Sequence, residues 1–143
     1  MAQALEGVED GPDRALARRL AHTVLRDWPA VQGLSARLIK RAPARRDRLV
    51  LFVVAVALAE LREEREPAHA VVHSAVEVTR ALGLARLSGL VNAVLRRYQR
   101  EGDQLDDQLG DSEVIRSGHP GWLIKALRQD WPEHADAILK NNN

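Results

Sequence analysis

Leu49 to Ala59 reads Leu-Val-Leu-Phe-Val-Val-Ala-Val-Ala-Leu-Ala, a run without one polar side chain. A helix apolar all round cannot rest on a protein surface, so other helices or lipid must wrap it. Length separates the two: a bilayer needs about 20 apolar residues, and here Arg45, Arg46 and Arg48 precede the run while Glu60, Arg62, Glu63 and Glu64 follow it. The run therefore predicts the central helix, about 45–64, of an all-α domain whose other apolar stripes turn towards it. A chain of 143 residues is long enough to bury such a core. Aromatics are only 3% of the sequence, so Leu, Val and Ala must build that core, which favours closely packed helices.

Two function classes fall away on composition. There is no cysteine, which excludes disulfides, thiolate metal sites and a cysteine nucleophile within this chain. No apolar segment follows a basic start, so no export signal is read, and a cytoplasmic location away from any membrane is the expectation.

The net charge of +1 conceals segregation. Residues 1–13 carry Glu6, Glu9, Asp10 and Asp13 and no base. Residues 14–48 carry Arg14, Arg18, Arg19, Arg26, Arg37, Lys40, Arg41, Arg45, Arg46 and Arg48 against only Asp27 and Asp47. Glu101 to Glu113 is acidic again. A basic block of this kind suits an anionic partner; the alternative is a set of solvated helix faces.

Along the chain, residues 1–9 read as a short helical turn with Leu5 and Val8. Asp10-Gly11-Pro12-Asp13 is a break and a helix start. From there Leu16, Ala17, Leu20, Ala21, Val24, Leu25 and Trp28 recur at helical spacing, beside a row of Arg14, Arg18, His22 and Arg26. Pro29 and Gly33 mark a kink or loop before a short helix ending near Arg41. Arg45, Arg46 and Arg48 then stand at the start of the central helix, where the dipole disfavours cations, and an anion shared with the free N–H groups would explain them.

Pro67 opens a helix with stripes Val71, Ala75, Val78, Leu82 and Val72, Ala75, Val76, Thr79, stopped at Gly83. His69 and His73 are four apart on its outer side. Ala70 stands where a zinc-binding helix of this spacing carries glutamate, so no metal is assigned. A helix from about Arg86 to Arg100 follows, with Leu87, Leu90, Val91, Val94 and Tyr98 inward. Ser88, Asn92, Arg96, Gln99 and Arg100 form a polar strip opposite. Asn92 reads either as part of that strip or as a buried residue bracing backbone, and Gly89 suggests a close approach by another segment.

Two stretches now carry a resemblance. Pro67-Ala-His-Ala-Val-Val-His-Ser-Ala-Val-Glu, with Gly89-Leu-Val-Asn-Ala-Val-Leu-Arg-Arg at 89–97, resembles the paired helices of the NusB family of helical RNA-binding domains. Gly118-His-Pro-Gly-Trp-Leu-Ile-Lys-Ala-Leu, Trp131-Pro and the terminal Lys140-Asn-Asn-Asn resemble the segment that follows such a domain in RsmB (Sun/Fmu) ribosomal RNA cytosine-5 methyltransferases. The resemblance implies a compact NusB-like bundle over 1–102, a polar connector over 103–117, and over 118–143 the helical start of a segment leading to a methyltransferase domain. Residues 119–140 are expected to pack through Trp122, Leu123, Leu127, Trp131, Ala135 and Ile138.

By that resemblance the partners are small-subunit ribosomal RNA and the parent enzyme's own catalytic domain. S-adenosylmethionine belongs to the full-length parent, with no cofactor and no catalysis in this fragment. The RNA-binding residues are then Arg14, Arg18, Arg45, Arg46, Asn92, Arg96 and Arg100. Because the aromatics mostly fall on apolar stripes, no stacking platform is expected, and folded RNA would be held through phosphates and 2′-hydroxyls. Family members usually carry another amphipathic helix ahead of the position of Met1, so an apolar groove is expected, which invites a homodimer or helix exchange. The rival reading is a helical protein-docking or dimerisation module of the transcription antitermination type.

Overall fold

The computed structural model describes residues 11–142, and among them the chain is helical without a strand. The helical turn expected at 1–9 lies outside the described residues. Eight α-helices follow in order: α1 Pro12–Arg26, α2 Trp28–Leu38, α3 Leu49–Glu63, α4 Ala68–Ala81, α5 Ser88–Leu109, α6 Glu113–Ser117, α7 Gly121–Asp130 and α8 Ala135–Asn141.

α3 is the predicted central helix. Val50, Val54, Leu58 and Ala59 are wholly buried against Val31 and Leu34 of α2, Val71 and Val72 of α4, and Val91 and Leu95 of α5. Each such aliphatic side chain contributes about 1.5–3 kcal/mol on leaving water, so this layer dominates the stability of the bundle. α3 ends at Glu64, which takes a left-handed conformation at φ 53° and turns the chain towards Pro67. α4 then runs back along α3. It ends in a Schellman closure at Gly83, φ 74°, with Gly83 N–H donating to Arg80 O and Leu84 N–H to Thr79 O. Thr79 sits in the core with no exposure because its hydroxyl donates to Ala75 O at 2.7 Å, which removes the penalty of burying it.

The covering of α3 is incomplete, contrary to the wrapped helix that the apolar run predicts. α2, α4 and α5 close three sides. α1 leans on one flank, through Val24 and through ion pairs of Arg19 with Glu60 and Glu63, and itself buries no residue fully. Leu49 and Phe52 of α3 consequently face solvent, Phe52 being 61% exposed, together with Leu16 of α1 and Val78 and Leu82 of α4. The stripe Val71, Ala75, Val78, Leu82 therefore enters the core at one end and an open groove at the other.

Two boundaries and one contact differ from the sequence reading. α2 passes through Gly33 unbroken, with Pro29 in its first turn, where a proline loses no helical hydrogen bond. Gly33 is small for a packing reason: a Cβ there would come within 2.6 Å of the Leu109 side chain. α5 does not stop near Arg100 but continues to Leu109, because Leu105 is buried and Leu109 packs on the core, and this extends the apolar stripe into the stretch read as a connector. Gly89, expected at a close approach, has open space around it.

The C-terminal extension packs differently from its predicted pattern. Ile124, Ala135 and Leu139 are its buried residues, whereas Trp122 is 72% exposed and Trp131, also exposed, stands at the turn between α7 and α8. In α7 the predicted Leu123 and Leu127 remain half-buried, and the inward row centres on Ile124 while Trp122 turns outward.

Polar pins set the axial positions of these helices. Arg62 of α3 donates from Nε to Asp27, at the α1–α2 junction, and from Nη1 to Asp106 of α5; Tyr98 O–H donates to the other oxygen of Asp106 at 2.8 Å. Burial, the largest influence on Arg62, works against its charge, yet the two carboxylates outweigh it. Burial and then the bond to Asp106 push the Tyr98 phenol well above its usual value. Replacing Arg62 with methionine leaves two half-buried carboxylates facing each other. The expected cost is about 2 kcal/mol, discounted for the partial exposure of the cluster, read as a lower urea midpoint.

Candidate nucleic-acid interface

At the opposite end of α3 the chain makes a single 3₁₀ turn over Arg45–Asp47, closed by Asp47 N–H donating to Ala44 O at 2.8 Å. The turn sorts its side chains by charge. Arg45, Arg46 and Arg48 point to solvent, and Asp47 points inward and is buried. Asp47 Oδ1 accepts from Arg86 Nη2 and lies 3.9 Å from Arg46 Nε. Arg86 belongs to a second 3₁₀ turn, Ala85–Leu87, which leads into α5. One buried carboxylate thus ties together the two turns that precede α3 and α5.

Two helix N-termini consequently open side by side with Arg45, Arg46, Arg48 and Arg86 around them. Neither helix has a side-chain cap on its first N–H groups. Partial positive charge from both macrodipoles adds to the guanidinium charges, so this end attracts anions. Asn92, one turn into α5, is exposed, which settles the choice left open for it against a buried bracing role. Arg96 is exposed and donates to Gln99 Oε1 at 3.0 Å.

The other sequence-chosen arginines lie elsewhere. Arg100 borders a cleft shared with Glu64, Glu66, Glu101, Asp103 and Asp106, a largely acidic setting. Arg14, half-buried, and Arg18, exposed, ride on α1, whose ion pairs engage the C-terminal turns of α3 rather than its start. Arg45, Arg46, Arg48 and Arg86 thus share one surface around Asp47; Asn92 and Arg96 are exposed further along α5, Arg14 and Arg18 ride on α1, and Arg100 borders the acidic cleft.

Arg86 and Asp47 escaped the sequence reading as functional residues. A signal existed, since Asp47 is one of only two acids in the basic block, and an isolated acid amid arginines points to a tertiary ion pair. His69 and His73 are exposed on α4, and among the described residues no group of three or more His, Cys, Asp or Glu side chains could hold a metal ion. Among the same residues no helix is long and apolar enough to cross a membrane. Exposure of Trp28, Phe52, Trp122 and Trp131 overturns the expectation that the aromatics fall mostly on buried stripes. Phe52, exposed in the first turn of α3, stands beside the basic end.

Residues 1–100 match the NusB family. The chain belongs to the NusB family. Residues 119–143 match the ferredoxin-like domain of RsmF/B-like methyltransferases. Among curated proteins the chain is similar to ribosomal RNA small subunit methyltransferase B of Vibrio cholerae, 40% identical over 131 residues, which cover 92% of this chain and 30% of that protein. The proteins of the same name from Xanthomonas campestris, 40% identical over 141 residues, and Pseudomonas putida, 39% over 134, cover 97% and 94% of this chain. The chain spans about 30% of the length of these relatives.

The acidic end carries one perturbed carboxyl. Burial raises Glu60 above its ordinary 4.5, Arg19 opposes that shift, and Glu66 and Glu63 reinforce it. A carboxyl with a raised folded pKa binds its proton more tightly in the folded state. Its contribution to stability is complete below about 4.5 and is lost as pH rises through the folded value. Glu60→Gln is therefore expected to unfold at a higher temperature than the parent at neutral pH, with the difference shrinking in thermal scans at acidic pH.

Proposed function

We propose that this chain is the RNA-binding accessory part of a small-subunit ribosomal RNA (cytosine-5) methyltransferase, and that folded RNA docks on the basic end of the bundle. The observation that carries this reading is the convergence of Arg45, Arg46, Arg48 and Arg86 on two uncapped helix N-termini in a member of the NusB family. Arginines on rigid turns suit phosphate oxygens, which favours backbone contacts to a folded RNA. Asn92 and Arg96 extend the footprint along α5. Arg14, Arg18 and Arg100 contribute general attraction from other faces.

Catalysis is assigned to the rest of the parent enzyme. S-adenosylmethionine is ordinarily held by a Gly-rich turn between a strand and a helix, and the described residues build no such turn. Addition to the cytosine ring needs a nucleophile of the cysteine type, and the sequence has none. The residues present do not fit the cofactor, so no step of the chemistry is routed through this chain. The accessory role is to hold RNA while a linked catalytic domain acts on it.

The test is fluorescence anisotropy of a folded small-subunit ribosomal RNA hairpin across a salt series. Affinity should fall steeply with salt. Arg45→Glu/Arg46→Glu should weaken binding by at least roughly tenfold and reduce the log–log slope by about 2, and Arg86→Gln should reduce it by about 1. Unchanged affinity and slope in these variants would remove the basic end from the interface. Absence of binding at low salt would overturn autonomous RNA recognition by this chain.

A further inference from the structure

The basic end carries an apolar patch as well as charge. Leu49 and Phe52 stand in the first turn of α3, Val78 and Leu82 at the end of α4, and all four are exposed, Phe52 the most at 61%. α4 runs back along α3, so these side chains meet on the wall of one groove. Arg48, which caps α3, has helical backbone angles, φ −60° and ψ −20°. Arg48 and Phe52 are therefore i, i+4 neighbours with Cβ atoms about 5–6 Å apart. Arg45 and Arg46 occupy the turn just before them.

Large apolar side chains exposed together at one place mark a contact surface more than singly scattered ones do. What stands beside them narrows the ligand. It must offer an apolar part to Phe52 and a negative charge within about one helical turn of it. An apolar peptide helix suits the patch and leaves the arginines without a counter-charge. The backbone of a fully paired duplex suits the arginines and leaves the patch wet, because its bases are stacked inside. An unpaired nucleotide has both parts: a base with open π faces, and phosphates on either side of its ribose.

We infer that Phe52 seats an unpaired base: a looped-out or bulged nucleotide of the docked RNA stacks on the exposed ring, while its flanking phosphates lie on Arg48 and on the turn of Arg45 and Arg46. Leu49, Val78 and Leu82 shield the edge of the stack. This rests on the RNA-binding reading and adds a preference to it. Stacking tolerates any base, so the seat selects unpaired over paired RNA rather than one base over another.

Fluorescence anisotropy with a fully paired RNA duplex, and with the same duplex carrying a two-nucleotide bulge, tests it. The parent should bind the bulged RNA roughly tenfold more tightly. Phe52→Leu keeps apolar bulk without a π face and should abolish that preference. It should leave the log–log salt slope and the helicity in circular dichroism unchanged, since Phe52 is uncharged and mostly exposed. Phe52→Tyr should retain the preference. Arg45→Glu/Arg46→Glu should weaken both RNAs and lower the slope, which reports docking itself. Equal binding of the two RNAs by the parent, or a preference that survives Phe52→Leu, overturns the base seat while the docking reading stands, and leaves the patch to a protein segment. A loss in Phe52→Leu that is equal on both RNAs overturns it as well, because such a contact does not read an unpaired base. Binding of neither RNA at low salt overturns the docking reading and the base seat together.

Discussion

Aliphatic packing holds helices together but does little to fix how far one slides along another, since Val, Leu and Ala stripes offer many similar registers. The carboxylate–guanidinium pairs at the two ends of α3 supply what the core lacks. Asp47 with Arg86 pins the starts of α3 and α5, and Arg62 with Asp27 and Asp106 pins their far ends and the α1–α2 corner. With both ends fixed, α3 and α5 run parallel and level. The two helix N-termini of the basic end can then open side by side, and the acids gather at the other end. The surface chemistry of the bundle follows from this alignment more than from any single arginine.

The pins also explain why a chain with net charge of +1 presents such different ends. Among the described residues most acids stand near the C-terminal turns of α3 and α5 or inside tertiary pairs, while Arg45, Arg46 and Arg48 meet one buried acid. The polarity therefore arises in three dimensions from pairing, and a total charge cannot report it. Membership in the NusB family is compatible with the electrostatic docking role proposed for this end.

Much of the helical order was legible in the sequence because period and punctuation agreed: the apolar run of α3, Pro67 before α4, Gly83 after it, and the Val91, Val94, Tyr98 row of α5. The failures share a cause, which is that hydropathy gives a face without naming its neighbour. Phe52, Val78 and Trp122 lie on credible apolar stripes and still face water, because nothing in a stripe states whether another element covers it. Gly33 was read as punctuation and is a close contact with Leu109, a residue 76 positions away by the numbering, which no local pattern can reveal. For the site, the cluster Arg45, Arg46 and Arg48 was evident from composition, whereas Arg86 joins it only through the buried Asp47. The two lone acids of the basic block, Asp27 and Asp47, were the clue, and each proves to be a tertiary ion-pair partner.

α5 has a mechanical consequence beyond its packing. Its 22 residues form one uninterrupted rod about 33 Å long, with Arg86 at one end and the turn at Gly110 at the other. A rod of that stiffness works as a gauge block: it holds the basic end at a set distance and heading from whatever is joined after Gly110. Lengthening α5 by one residue would swing that heading by about 100° while adding only about 1.5 Å of reach. Its length is thus constrained in angle far more tightly than in distance.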